Sequence, residues 1–146
     1  MRIRLLYKGF LVIGLVGGAL ASAGPTQADP AGLWRAKDGG TTRVARCGAA
    51  LCGTLVSVVP ATDPATGLPV TDKKNRDPAQ RSRPLVGAQV LIGMQPSGPA
   101  KWSGHLYNPA DGGTYEGHII EQSATTIRVE GCALGMCGGE NLTRVK

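Results

Sequence analysis

Between residues 32 and 145 apolar and polar residues alternate with a period of two nearly everywhere, and no stretch sustains a helical period. A chain so patterned builds sheet, and every apolar strand face must find cover. Eight short candidate strands stand out, near 32–37, 41–47, 52–59, 85–94, 101–107, 114–121, 125–132 and 139–145. Glycine, proline, asparagine and aspartate separate them. "TIRVEG" shows the pattern cleanly, with Ile127 and Val129 on one face and Arg128 and Glu130 on the other. Eight such strands with mostly short connections predict an all-β fold, a small antiparallel barrel or sandwich, with an eight-stranded barrel the expected form.

The hairpin "KWSGHLYNPADGGTYEGHII" predicts its own register. Turn residues from Asn108 to Gly113 set Tyr107 opposite Thr114, and so Leu106 opposite Tyr115, Gly104 opposite Gly117 and Trp102 opposite Ile119. One face is then apolar, and the other carries Ser103, His105, Glu116 and His118. A slip of one residue would invert both faces, so this register is strongly specified.

Two C-x4-C pairs, Cys47 with Cys52 and Cys132 with Cys137, close short hairpin loops. They read either as staples or as one four-thiolate zinc site. The N-terminus decides between them. Arg2, Arg4 and Lys8 precede an apolar run from Phe10 to Leu20 and a small-residue site at Ala21-Ser22-Ala23, the layout of a secretory signal peptide. Residues 1–23 are expected to be removed, or 1–28 if cleavage falls at Ala28, which leaves a single domain over 29–146. An exported chain oxidises its thiols, so two disulfides are expected, in a periplasmic or secreted protein with no stable membrane insertion after cleavage.

Loss of Arg2, Arg4 and Lys8 lowers the formal charge from +6 to +3. The high isoelectric point is therefore partly a targeting feature, and no nucleic-acid partner is expected. All of the remaining excess lies in "TDKKNRDPAQRSRP", residues 71–84, inside a proline-rich connection from Pro60 to Pro84 with no convincing strand. Connections of that length in a small domain are usually functional or disordered.

Five stretches together carry a resemblance: "GLW" at 32–34, "RCGAALCGTLV" at 46–56, "NRDPAQRSRPLVG" at 75–87, "WSGHLYNPADGGTY" at 102–115 and "VEGC" at 129–132. The chain resembles the bacterial exported proteins grouped as domain-of-unknown-function family 2147. That resemblance implies no assigned activity and no catalytic residues to carry over. The last strand departs from the pattern, with "NLTR" where an aromatic residue is expected shortly before the final arginine. Gly32 and Trp34 on the first strand, with Arg144 on the last, also look like the signature of lipocalin-type barrels. That resemblance implies that the tryptophan packs under the arginine and closes one barrel end.

Several residue groups are candidates for a site. Trp102, Tyr107 and Tyr115, with Trp34, either line an apolar cavity or simply fill the core. Asn75, Arg81 and Arg83 either form a fork for a carboxylate or phosphate, or tie the long connection down. His105, Glu116 and His118 share one strand face and could hold a divalent metal. Ser103 and His105 share that face with no orienting carboxylate in evidence, and no other hydrolytic or phosphate-binding motif is present. The expectation is a non-enzymatic protein without cofactor that binds a small apolar or anionic cell-envelope component. The alternative is a protein-interaction module, with the partner unspecified.

Overall fold

The computed structural model describes residues 29–146, so the expected signal peptide, with either cleavage point, lies outside the described residues. Eight strands follow one another around a closed barrel: β1 (Gly32–Arg35), β2 (Thr41–Cys47), β3 (Ala50–Ser57), β4 (Gln89–Gly98), β5 (Lys101–Asn108), β6 (Gly113–Ser123), β7 (Thr126–Ala133) and β8 (Met136–Arg144). Each pairs antiparallel with its sequence neighbours, and β8 closes on β1. Among the described residues no helix is long and apolar enough to cross a membrane.

The β5–β6 register is the one the hairpin sequence predicts: Trp102↔Ile119, Gly104↔Gly117, Leu106↔Tyr115 and Tyr107↔Thr114. The alternation continues around the barrel, with Ile119 opposite Val129 and Ile127 opposite Leu142. Trp34, Val44, Leu51, Leu91, Met94, Trp102, Ile119, Ile127 and Leu142 are all buried and form one core.

Both disulfides are present, Cys47–Cys52 and Cys132–Cys137. They clamp tighter turns than the four-residue loops expected, because the strands run inside the cysteine pairs. Cys132 directly opposes Cys137, and the reversal is made by Leu134 and Gly135 alone, at φ 51° and 76°. Positive φ at both central residues matches the right-handed twist of the flanking strands. At the other hairpin Gly48, at φ 68°, begins a two-residue turn with Ala49. For the same reason β3 and β8 start earlier than expected. β4 starts later, at Gln89, because residues 85–88 are tied to Leu55 and Val70 by backbone hydrogen bonds instead of entering the ladder.

Strand order sorts the connections into two ends. The β2–β3, β4–β5 and β6–β7 turns, the start of β1 and the end of β8 gather at one end. The β1–β2, β5–β6 and β7–β8 turns gather at the other, with the long β3–β4 connection. The first end is closed. Arg144 lies 4.2 Å over the Trp34 ring and donates to the carbonyls of Ala31, Ala124 and Asp29 at 2.8, 2.9 and 3.2 Å. Trp34 is fully buried and its indole N–H donates to Pro30 O at 2.8 Å. Gly32 fits the closure because its φ is +146° and a Cβ there would meet Arg144 Nη1 at 2.5 Å. The leucine of "NLTR", Leu142, is buried against Ile127, so the missing aromatic does not unseat the arginine.

Arg144→Ala is expected to remove the stack and three charge-assisted hydrogen bonds together, lowering stability by about 2–4 kcal/mol. Arg144→Lys should recover only a small part, since an ammonium cannot both stack flat and reach three carbonyls. Denaturant unfolding of the two variants beside the wild type checks this.

Candidate functional site

Above the closed end the barrel is hollow. A cavity of about 1140 Å³ opens at the other end, at or beyond the upper size of common ligand sites. Its cause lies in the inward-facing residues, which shrink toward the mouth. Along β7 the series is Ile127, Val129, Gly131, Ala133, and on β8 Gly138 leaves a gap beside Gly131 before Met136 at the rim. Trp34 gives way to Ala36 and Val44 to Thr42 in the same direction. Bulky residues plug the closed half, and on the β7, β8, β1 and β2 side Gly131, Ala133, Gly138 and Ala36 leave the open half hollow. The walls are mainly aliphatic, with Leu55, Val90, Leu91, Leu106 and Tyr115 forming one continuous side across β3 to β6.

The mouth is ringed by the β1–β2 turn, residues 58–60 and 63–64, the β5–β6 turn and the β7–β8 hairpin. On that hairpin Leu134 and Met136 are 97% and 74% exposed, an apolar rim held by the Cys132–Cys137 bond. Asp63 pairs with Lys73 and also accepts from Ala65 N–H, and these bonds hold its carboxyl below the usual carboxylate range. Asp111 accepts from Tyr115 Oη at 2.7 Å and from Gly113 N–H at 2.7 Å, with the same consequence. Tyr115 is thus turned toward the mouth, and its own hydroxyl is pushed above the ordinary tyrosine value by that carboxylate.

The long connection is ordered around one buried carboxylate. Asp72, with a fully buried side chain, accepts from Tyr107 Oη at 2.6 Å, Asn75 Nδ2 at 2.8 Å, Arg83 Nη2 at 2.8 Å and Arg83 Nε at 2.9 Å. The Arg83 guanidinium also lies 5.5 Å over the Tyr107 ring. Burial raises the pKa of Asp72, but the donors from Asn75, Tyr107 and Arg83 outweigh it and leave the carboxyl below its ordinary value. The same burial and the same carboxylate raise that of Tyr107. The anion held by Arg83 and Asn75 is therefore the chain's own. Arg81 donates from Nε to Asn75 O at 2.8 Å and stays exposed. Neither arginine lines the cavity.

The other expected groups separate. Trp102, 3% exposed, packs in the core beyond the cavity, while Tyr107 and Tyr115 border its mouth and Trp34 its floor. His105, Glu116 and His118 share the outer face as expected, but the three do not gather their ligand atoms into one cluster. Among the described residues the one such cluster is Glu130 with Cys132 and Cys137, whose sulfurs are spent in a disulfide. His118 places Nδ1 2.9 Å from Ser103 Oγ and Nε2 3.5 Å from Glu116 Oε1. Ser103 thus partners His118, not His105, and its hydroxyl also meets Ser97 Oγ at 2.7 Å. Asp72 and the acidic residues of the mouth escaped the sequence reading. Asp72 sits among five basic neighbours and looked like a minor member of a charged loop.

With this geometry in place the comparisons are informative. The chain belongs to the family described as uncharacterized protein conserved in bacteria (DUF2147), whose model matches residues 32–144. No curated protein matches it. Among solved structures it is similar to protein HP1028 from the human pathogen Helicobacter pylori, described as belonging to the lipocalin family. The TM-score is 0.69 at 18% identity, over 82% of this chain and 84% of that one. At that identity the likeness establishes the fold, a lipocalin-like barrel. The family match spans both cysteine pairs, the Asp72 network and Arg144, so each lies within the family's common domain.

Asp72 generates a signed pH prediction. Its pKa is depressed on folding, so its contribution is present above the unfolded value near 4 and is lost as pH falls through the folded one. The thermal midpoint should therefore drop as pH falls below about 4. Asp72→Asn, which strands Arg83 without a counter-charge, should cost about 3 kcal/mol at pH 7 and flatten the acid limb. Thermal unfolding of both proteins from pH 7 to pH 3 measures this.

Proposed function

We propose that this protein is a non-catalytic carrier that holds one small apolar ligand inside its barrel, in the periplasm or outside the cell. The carrying observation is the blind cavity of about 1140 Å³, walled by aliphatic and aromatic side chains and floored by Trp34. A wide apolar space open to water at one end is costly to leave empty of apolar contacts, and residues as small as Gly131 and Gly138 do nothing to fill it. The lipocalin-like fold supports the reading, since barrels of this strand number are just wide enough to enclose one small molecule. The two disulfides and the basic-then-apolar N-terminus support an oxidising compartment, where the ligands within reach are cell-envelope components. Of the two ligand classes expected from the sequence, the geometry favours the apolar one. Arg83 is committed to Asp72, and Lys73 is the one cation among the lining residues described.

The neutral fluorophore N-phenyl-1-naphthylamine is expected to bind and to quench Trp34 emission on the cavity floor. Gly138→Phe tests the location. A Cβ at Gly138 meets nothing within 4 Å, so the ring can enter the cavity without displacing a neighbour. The variant should fold with near wild-type stability and lose at least about tenfold in affinity, equivalent to about 1.4 kcal/mol. Unchanged binding in a folded Gly138→Phe protein would place the ligand elsewhere.

A further inference from the structure

The charged groups bordering the cavity are unequal in sign. Asp38, Asp63, Asp111 and Glu140 line it, against Lys73 alone, and Lys73 is already paired with Asp63. The excess is confined to the lining: the long connection at the same end brings Lys74, Arg76 and Arg81 outside it, with Arg76 close enough to act on Asp111, and turns Arg83 onto Asp72. None of the four carboxylates sits on the floor, where Trp34, Ile127 and Leu142 are buried. They stand on the β1–β2 turn, the long connection, the β5–β6 turn and the mouth half of β8. A ring of acids at a surface edge would by itself mean nothing. Set over a blind apolar cavity it becomes a filter on whatever polar group a bound apolar molecule leaves at the mouth.

The cavity's depth fits such a molecule. From Ile127 on the floor to Ala133 at the rim is six strand residues, about 20 Å along a strand and about 15 Å along the axis of a tilted barrel, the reach of roughly ten alkyl carbons. An alkyl chain with its end against Trp34 thus brings its head group level with the carboxylates. There a carboxylate or phosphate head would face the ring's excess negative charge at partly desolvated range, while an ammonium head would be attracted.

We propose that the ligand is an amphiphile with an apolar body at least as long as an alkyl chain of about ten carbons and a cationic or neutral head group, and that Asp38 and Glu140 discriminate against anionic heads. This rests on the carrier reading above and adds the ligand's polarity to it. Asp38 and Glu140 are the ring members best suited to a test. Each accepts one hydrogen bond from a backbone N–H, of Gly40 at 2.8 Å and of Lys37 at 3.3 Å, which an amide oxygen can also accept.

The experiment displaces N-phenyl-1-naphthylamine from the full mature chain with decylammonium, decanol and decanoate, which share one tail and differ in head charge. The expected order is decylammonium, then decanol, then decanoate, with at least about tenfold between the first and last at low salt and a narrower gap at high salt. The double variant Asp38→Asn, Glu140→Gln should lose most of the discrimination, read as the ratio of decylammonium to decanoate affinity. Decanoate binding as tightly as decylammonium would overturn the inference and leave the carrier reading standing. So would discrimination that survives in the double variant. Failure of the neutral fluorophore and all three decyl compounds to bind would overturn the carrier reading itself, and this inference with it.

Discussion

The stack of Arg144 on Trp34 is the contact on which the barrel's form depends. β1 is four residues long and meets β8 through two register pairs, Trp34↔Arg144 and Arg35↔Thr143. So short a seam supplies little ladder hydrogen bonding. The guanidinium makes up the deficit, joining the last strand to the N-terminal carbonyls of Asp29 and Ala31 and to Ala124 in the β6–β7 turn. With this end sealed, β1 and β8 cease to be edges, and the hollow above them becomes a blind cavity instead of a channel.

The second constraint sits at the other end. Residues 58–88 would be a loose strap over an open barrel if nothing held them. Asp72 holds them by gathering donors from Asn75 and Arg83 within the strap and from Tyr107 on β5. A buried carboxylate is costly unless its acceptor sites are filled. Here four donor contacts fill them, and the guanidinium balances the charge. The strap is thereby pinned to the β5 end, and backbone bridges at Thr62↔Pro69 and Thr71↔Pro84 stiffen it. The mouth of the cavity is consequently a built rim with defined charges, which is what gives a filter on head groups physical meaning.

The hollow itself follows from side-chain size. A barrel of eight strands closes around a packed interior when its inward residues are large throughout. This one places tryptophan, isoleucine, leucine and methionine in the lower half, and above them glycine and alanine on the β7, β8 and β1 side, facing the leucines of β3 to β5. Met94 and Trp102, inside the core, rigidify the lower half and take no part in the cavity wall. Stability and capacity are thus divided along the barrel axis.

The sequence by itself determined the elements whose causes are local. Period-two alternation gave the strands, and the turn residues from Asn108 to Gly113 gave the β5–β6 register pair by pair. Spacing together with the export-type N-terminus gave both disulfides, and Gly32, Trp34 and Arg144 gave the closed end through their resemblance to lipocalin-type barrels. What only the tertiary structure decided depends on residues far apart in the chain. Arg83 and Asn75 show two roles, ligand fork and loop anchor, until Asp72 is seen to meet Tyr107, 35 positions away, because a charge has no direction in a linear string. The hairpin loops were read as four residues because spacing alone does not say that the strands continue inside a cysteine pair. The cavity was undecidable from four aromatics. It depends on which side of each strand faces inward around the whole ring, and only closure brings Ala36 and the β3–β5 leucines round one empty space with the hairpin pair Gly131 and Gly138.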